Sequence, residues 1–167
     1  GDDKEMLVRL SLSQQALPFV ATHAYQEKGL TKDYIKSNFK DYINGYTFVD
    51  CDGVSGYTYG LYVDWDYESD LVVDKDVISV MWTVGAKCVV PTSKCPTIYL
   101  SNHSNVHLVG EGYNNINIKL FDKSKVTIKD LDEESDVIIY KYSDDAQVEL
   151  GKYALGKVKV FNKELRL

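Results

Sequence analysis

A weak motif, copied along most of the chain, constrains the fold more than any other feature. Its form is a small or polar residue, an aliphatic two positions on, and a second aliphatic two further. Three copies show it best: Ser104 with Val106 and Leu108, Ser124 with Val126 and Ile128, and Ala146 with Val148 and Leu150. Between them lie Asn114 with Ile116 and Ile118, Ser135 with Val137 and Ile139, and Gly156 with Val158 and Val160. Upstream, Pro96 leads Ile98 and Leu100, Ala86 leads Cys88 and Val90, and Asp76 leads Ile78 and Val80. The first aliphatic slot thus falls at 78, 88, 98, 106, 116, 126, 137, 148 and 158, in steps of 10, 10, 8, 10, 10, 11, 11 and 10.

Each copy is a short strand with one apolar and one polar face, followed by a polar turn. One such unit cannot bury its own apolar face, so the copies must stack. Two arrangements satisfy this. In a β-solenoid two units form one coil of about 20 residues, and each strand pairs with its equivalent one coil away. In an antiparallel sandwich or meander, neighbouring units pair directly. The steady phase and the recurrence of the best copies at the two-unit spacing favour the solenoid. The absence of Asn-Gly and Asp-Gly turns from 90–150 does so too. The expectation is a mainly β chain: a parallel β-helix-like solenoid over 44–167, with residues 1–43 as a helical N-terminal cap.

The register predicts which side chains face inward: Ile78, Val80, Val90, Ile98, Leu100, Val106, Leu108, Ile116, Ile118, Val126, Ile128, Val137, Ile139, Val148, Leu150, Val158 and Val160. Cys88 shares that set, and is expected to be a small core side chain. Facing out, Ser79, Tyr99, Asn117, Ile138 and Lys159 are expected on one wall, and Val89, His107, Thr127 and Glu149 on the other.

The first forty residues differ. Leu7, Leu10, Leu17, Val20, Ala21 and Ala24 recur at helical spacing, with a break at Pro18 and a C-terminal signal at Gly29. Thr31 is placed to N-cap a short helix through Phe39, with Asp33 in its first turn and Tyr34, Ile35 and Phe39 facing the body. This segment is expected to close the first coil, and the charged tail 162–166 to blunt the last strand edge.

Charge is uneven. The net charge is −6, which argues against a nucleic-acid partner, since that would need a cationic face. Between 41 and 86 there are nine acids against Lys75 alone, whereas 151–167 holds Lys152, Lys157, Lys159, Lys163 and Arg166 against Glu164. Opposite charge at the two ends of a solenoid would permit head-to-tail self-association. No window approaches the roughly 18–20 apolar residues of a membrane span. No signal peptide is visible, and the initial Gly suggests that an upstream piece was removed. Cys51, Cys88 and Cys95 are an odd count, compatible with one Cys88–Cys95 bridge or with free thiols. Free thiols favour a reducing compartment, cytoplasmic over secreted.

Several segments resemble a known group: Asp33–Phe39, Val49-Asp50, Gly85–Cys88, Ile98–Leu100 and Phe121–Val126. They are similar to small repeat proteins encoded by gut Bacteroidetes, their phages and their mobile elements. That group carries decapeptide-like Tyr-Asp-Asn-Ser-x-Val repeats. The likeness spans roughly 17–167, with Lys123 where the repeat has Asn and longer turns near 110–114 and 130–135. It implies the fold and offers no catalytic residue.

For chemistry, the acidic run Asp64, Asp66, Glu68 and Asp70 would share one face of an extended strand, offering oxygens to a Ca²⁺ ion. As an EF-hand loop it fails, because Ser69 and Lys75 stand where Gly and Glu are needed. A solvated acidic strand or loop is the plainer reading. Tyr57, Tyr59, Tyr62, Trp65 and Tyr67 beside these acids suit a glycan-binding or protein-binding face, with Tyr57, Tyr59, Trp65, Asp66 and Tyr67 as its residues. The plainer alternative is that the rings pack the N-terminal segment onto the coils. Carboxylate pairs Asp64/Asp66, Asp74/Asp76, Asp130/Asp132 and Asp144/Asp145 would allow a polysaccharide-cleaving enzyme, yet none stands in an apolar setting. His23, His103 and His107 have no nucleophile nearby in sequence. The expectation is a non-enzymatic binding or assembly module that takes a protein or glycan partner and needs no cofactor.

Overall fold

The computed structural model describes residues 31–49, 56–66 and 68–163. The expected helical run 4–28, with Pro18 and Gly29, lies outside them, as do Cys51, His23 and Tyr67.

From β2 (Thr58–Val63) onward the strands alternate between two sheets. The larger sheet holds β2, β4 (Val77–Met81), β6 (Thr97–Ser101), β8 (Asn115–Leu120), β10 (Asp136–Lys141) and β12 (Val158–Asn162), in that spatial order. The smaller holds β3 (Leu71–Val72), β5 (Val84–Val90), β7 (Asn105–Gly110), β9 (Lys125–Asp130) and β11 (Gln147–Tyr153). All these pairings are parallel. Chain neighbours face each other across the core instead of bonding as hairpins. The result is a β-solenoid of about 5 turns with roughly 20 residues per turn.

Parallel pairing stacks equivalent residues into columns. Gly60, Ile78, Ile98, Ile118, Ile139 and Val160 form one inward column of the larger sheet. Ala86, Val106, Val126 and Val148 form one of the smaller sheet. Thirteen of the aliphatics expected inside are buried, from Ile78 to Ile139, and so is Cys88. Val148, Leu150 and Val158 are only partly buried, and Val160 is 43% exposed, because no coil follows to cover them.

The pairing also corrects the phase. Ile98 stacks on Ile118, not on Ile116. Tyr99 therefore stands between Ser79 and Lys119, while Asn117 pairs with Thr97. On the other wall His107, Thr127 and Glu149 do share a column, but Lys87 heads it in place of Val89. The eight-residue step disappears once the slots are taken at 98, 108 and 118.

The small slot of the motif is a corner. Ser104, Ser124, Ala146, Asn114 and Ser135 are all buried there. Lys125 N donates to Ser104 O and Gln147 N to Ser124 O, so the ladder continues round the bend. At the corners leaving the larger sheet, Asp64, Trp82, Asn102 and Asp122 adopt left-handed φ of 51°, 49°, 55° and 56°. Asp and Asn tolerate this conformation better than most residues. The Asp122 carboxylate also accepts from Asn102 N at 3.1 Å.

Helix α1 (Lys32–Asn38) begins as expected, with Thr31 Oγ1 accepting from Tyr34 N at 3.2 Å. Ile35 is buried and Phe39 partly so, but Tyr34 is exposed. The described cap lies against the side of the tube. Ile35, Ile43 and Phe48 pack on the outward-facing Leu61, Val63, Val77, Met81, Tyr99 and Phe121. Tyr99 thus points away from the core as expected and is nevertheless buried. Strand β1 (Phe48–Val49) pairs antiparallel with β2 and covers part of its free edge.

Lys75 helps to close the first coil from within. A Cβ on Gly60 would lie 2.5 Å from Lys75 Cδ, so the lysine stem fills the place that isoleucine fills in later coils. Its ammonium donates to Tyr62 Oη at 2.8 Å and to Asp74 Oδ1 at 3.1 Å. Burial alone would depress the Lys75 pKa; these two partners outweigh it and hold the pKa above the ordinary lysine value.

Candidate functional site

The aromatic and acidic stretch does not form one face. Strand β2 ends at Val63, and Asp64 turns the corner. Tyr59 packs outward with the N-terminal cluster, whereas Trp65 packs against the interior one. The Trp65 ring meets Tyr62 edge-on at 5.6 Å, and its Nε1 donates to Ser69 O at 3.2 Å. Tyr57 and Asp66 are exposed, and Tyr67 lies outside the described residues.

The same corner interrupts the acidic run that was the candidate for Ca²⁺. Asp64 pairs with Lys36 at 2.7 Å and with Lys32 at 4.0 Å. That bond raises the Lys36 pKa above its ordinary value. Asp70 pairs with Lys87 at 3.8 Å. Asp64, Asp66, Glu68 and Asp70 fall between β2 and β3 rather than on one strand face, which agrees with the loop alternative. Among the described residues no three His, Cys, Asp or Glu side chains gather where a metal ion could sit.

Two shallow clefts mark the walls. One, of about 330 Å³, lies on the smaller sheet between His107, Thr127, Lys129 and Asp130. The other, of about 340 Å³, lies on the larger sheet between Asn115, Asp136, Ile138, Lys157 and Lys159. Asp130 lines the first and Asp136 the second. Beside the first, Glu149 pairs with Lys125 at 3.1 Å, which lowers the glutamate's pKa. His103 sits in a left-handed turn, away from the His107 wall. Cys88 and Cys95 are free thiols. Burial pushes the Cys88 thiol up to about 12, in keeping with a core side chain.

The C-terminal end of the tube combines more of the features of a binding surface. Among the described residues strand β12 pairs with β10 on one edge only, and β11 ends the smaller sheet; most of the tail expected to blunt that edge, from 164 on, lies outside them. Around these edges Tyr153, Leu155, Val160 and Phe161 are all exposed, Tyr153 by 63%. Cations flank them. Lys152 lies over the Tyr153 ring at 4.9 Å, and Lys163 over Tyr140 at 5.4 Å. Lys157 Nζ donates to the carbonyls of Leu131 and Tyr153 at 2.8 and 2.9 Å. Tyr140 and Phe161 stack at 5.8 Å. The excess of lysines was visible in the sequence. The apolar part was not, because Val160 carries the same alternation as buried valines.

The fold defines the class: a short parallel β-solenoid with a helical cap on one side. No helix among the described residues is long and apolar enough to cross a membrane. No protein-family model matches the chain, nor does any curated protein or solved structure.

Proposed function

We propose that the protein is a non-enzymatic binding module that holds another polypeptide at the C-terminal end of its solenoid. The observation that carries this reading is the exposed apolar set Tyr153, Leu155, Val160 and Phe161 beside the half-paired strand β12. A strand edge offers unpaired N–H and C=O groups to an added strand. Apolar side chains beside such an edge supply the area that makes docking favourable. The glycan reading has less support. Tyr59 and Trp65 pack on different clusters, so the rings expected to form one glycan-binding face are divided between the outer wall and the interior.

The test is site-directed photo-crosslinking in the native host. A benzoylphenylalanine in place of Phe161 should give a discrete polypeptide adduct, whereas the same group in place of His107 on the opposite wall should not. No adduct at Phe161, or equal adducts at both positions, would overturn the reading.

A further inference from the structure

We infer that Asn44-Gly45 is a modification site, at which deamidation of the Asn44 side chain releases a latch on the first edge of the larger sheet. The site lies at the opposite end of the tube from the C-terminal surface.

Strand β2 is the first parallel strand of the larger sheet, so no coil precedes it. Alternate residues turn their N–H and C=O groups to that outer edge, here Tyr59, Leu61 and Val63. Strand β1 covers Tyr59 through Phe48. The Leu61 carbonyl accepts from Asn44 N at 2.8 Å. Val63 is closed by a side chain. Its N–H donates to Asn44 Oδ1 at 2.8 Å, and its carbonyl accepts from Asn44 Nδ2 at 3.1 Å. The Asn44 carboxamide thus stands in for the peptide group of a missing strand. Asn44 holds this position at a left-handed φ of 57°, which asparagine tolerates. The latch also seats its neighbour Ile43, buried in one cluster with Leu61 and Val63.

The residue that follows makes the latch chemically labile. Asn-Gly occurs once in the sequence, and glycine offers the least hindered nitrogen for attack on the preceding side chain. Gly45 is exposed, and apart from its chain neighbours nothing lies within 4 Å of where a Cβ would stand. In the reaction Gly45 N bonds to Asn44 Cγ, and the Cγ–Nδ2 bond breaks. Nδ2 leaves as ammonia, carrying the proton that Gly45 N gives up. Water then opens the succinimide ring at either carbonyl, leaving aspartate or isoaspartate. While the latch is closed, its two bonds to Val63 oppose any turn of the carboxamide. The reaction therefore proceeds from the open state, reached by local unfolding.

Neither product can close the latch again. A carboxylate has no donor for the Val63 carbonyl. Isoaspartate also adds a carbon to the main chain, which shifts the bond to Leu61 out of register. The change is one-way and leaves the Val63 edge open to another strand.

Peptide mass spectrometry on the full chain, incubated at mildly alkaline pH with and without urea, tests this. Asn44 should convert in the folded chain, more slowly than in the unfolded one by about tenfold or more. Hydrogen exchange at the Val63 amide should then be faster in the converted chain than in fresh protein by about tenfold or more, while exchange at Val126 stays unchanged. The variant Asn44→Asp should match the converted chain. Conversion is carried out on folded protein, so the test stands even where that variant fails to fold. No conversion at Asn44 in the folded chain would overturn the site. Equal rates with and without urea, or conversion that leaves Val63 exchange unchanged, would overturn the latch.

Discussion

Truncating Ile118 to Ala should destabilise the solenoid far more than truncating its neighbour Asn117. Ile118 is fully buried, between Ile98 and Ile139 in the inward column. The substitution removes three carbons, each worth about 0.8 kcal/mol of transfer free energy, so the transfer loss is about 2.4 kcal/mol. Neighbours on two coils and the facing sheet hold the space open, and the cavity raises the total to about 3–4 kcal/mol. Val160→Ala, in the same column but 43% exposed at the last coil, should cost under about 1 kcal/mol. Asn117→Ala points outward from an exposed position and should stay within about 0.5 kcal/mol of wild type. The assay is urea unfolding followed by far-UV circular dichroism and tryptophan fluorescence. Agreement of the two probes tests whether the coils unfold together. An Ile118→Ala cost no larger than that of Asn117→Ala would refute the column assignment.

Other consequences are equally direct. Lys75→Met should lose the bonds to Tyr62 and Asp74 while keeping most of the stem packed over Gly60. Because the Lys75 pKa is raised above 10.5, its contribution is complete below that value and is lost as pH climbs through the folded one. Wild type should therefore lose its stability advantage over Lys75→Met on alkaline titration; a constant gap would contradict this. In a Cys51→Ser background, a thiol reagent should label exposed Cys95 at once and buried Cys88 only on unfolding. Equal labelling rates would show that Cys88 is not in the core. The Glu149 carboxylate, followed by NMR, should titrate below the ordinary glutamate value, and Lys125→Ala should return it towards that value. An unchanged midpoint would remove the ion pair as the cause.

The decamer rhythm carried the architecture because alternation, corner and stacking all point the same way. Ser104, Ser124 and Ala146 were legible as a small slot, and they are buried corners. The pairing register was less legible. A slip by one residue exposes every buried side chain, but a slip by two leaves the apolar pattern intact. That is why Ile98 matched Ile116 as well as Ile118 on sequence grounds. Tyr99 was expected outside and does point outward, yet it is buried, because a segment distant in sequence crosses that wall. The acidic run reads equally as a strand or a loop. Asp64 makes it a corner, and Lys36 and Lys87, distant in sequence, pair with two of its carboxylates, Asp64 and Asp70. Those outcomes depend on contacts between segments, which local periodicity does not encode. The same holds for the C-terminal surface, where exposure follows from the end of the stack rather than from residue type.

The most direct test of the coiled architecture is the pattern of backbone NOEs in an isotopically labelled sample. Strands that pair lie about 4.8 Å apart, close enough for amide and Hα contacts. The stacked tube predicts parallel-type contacts linking Ile98 to Ile118 and Val106 to Val126, one full coil apart. Antiparallel contacts joining Asn115–Leu120 to the very next strand, Lys125–Asp130, would contradict it.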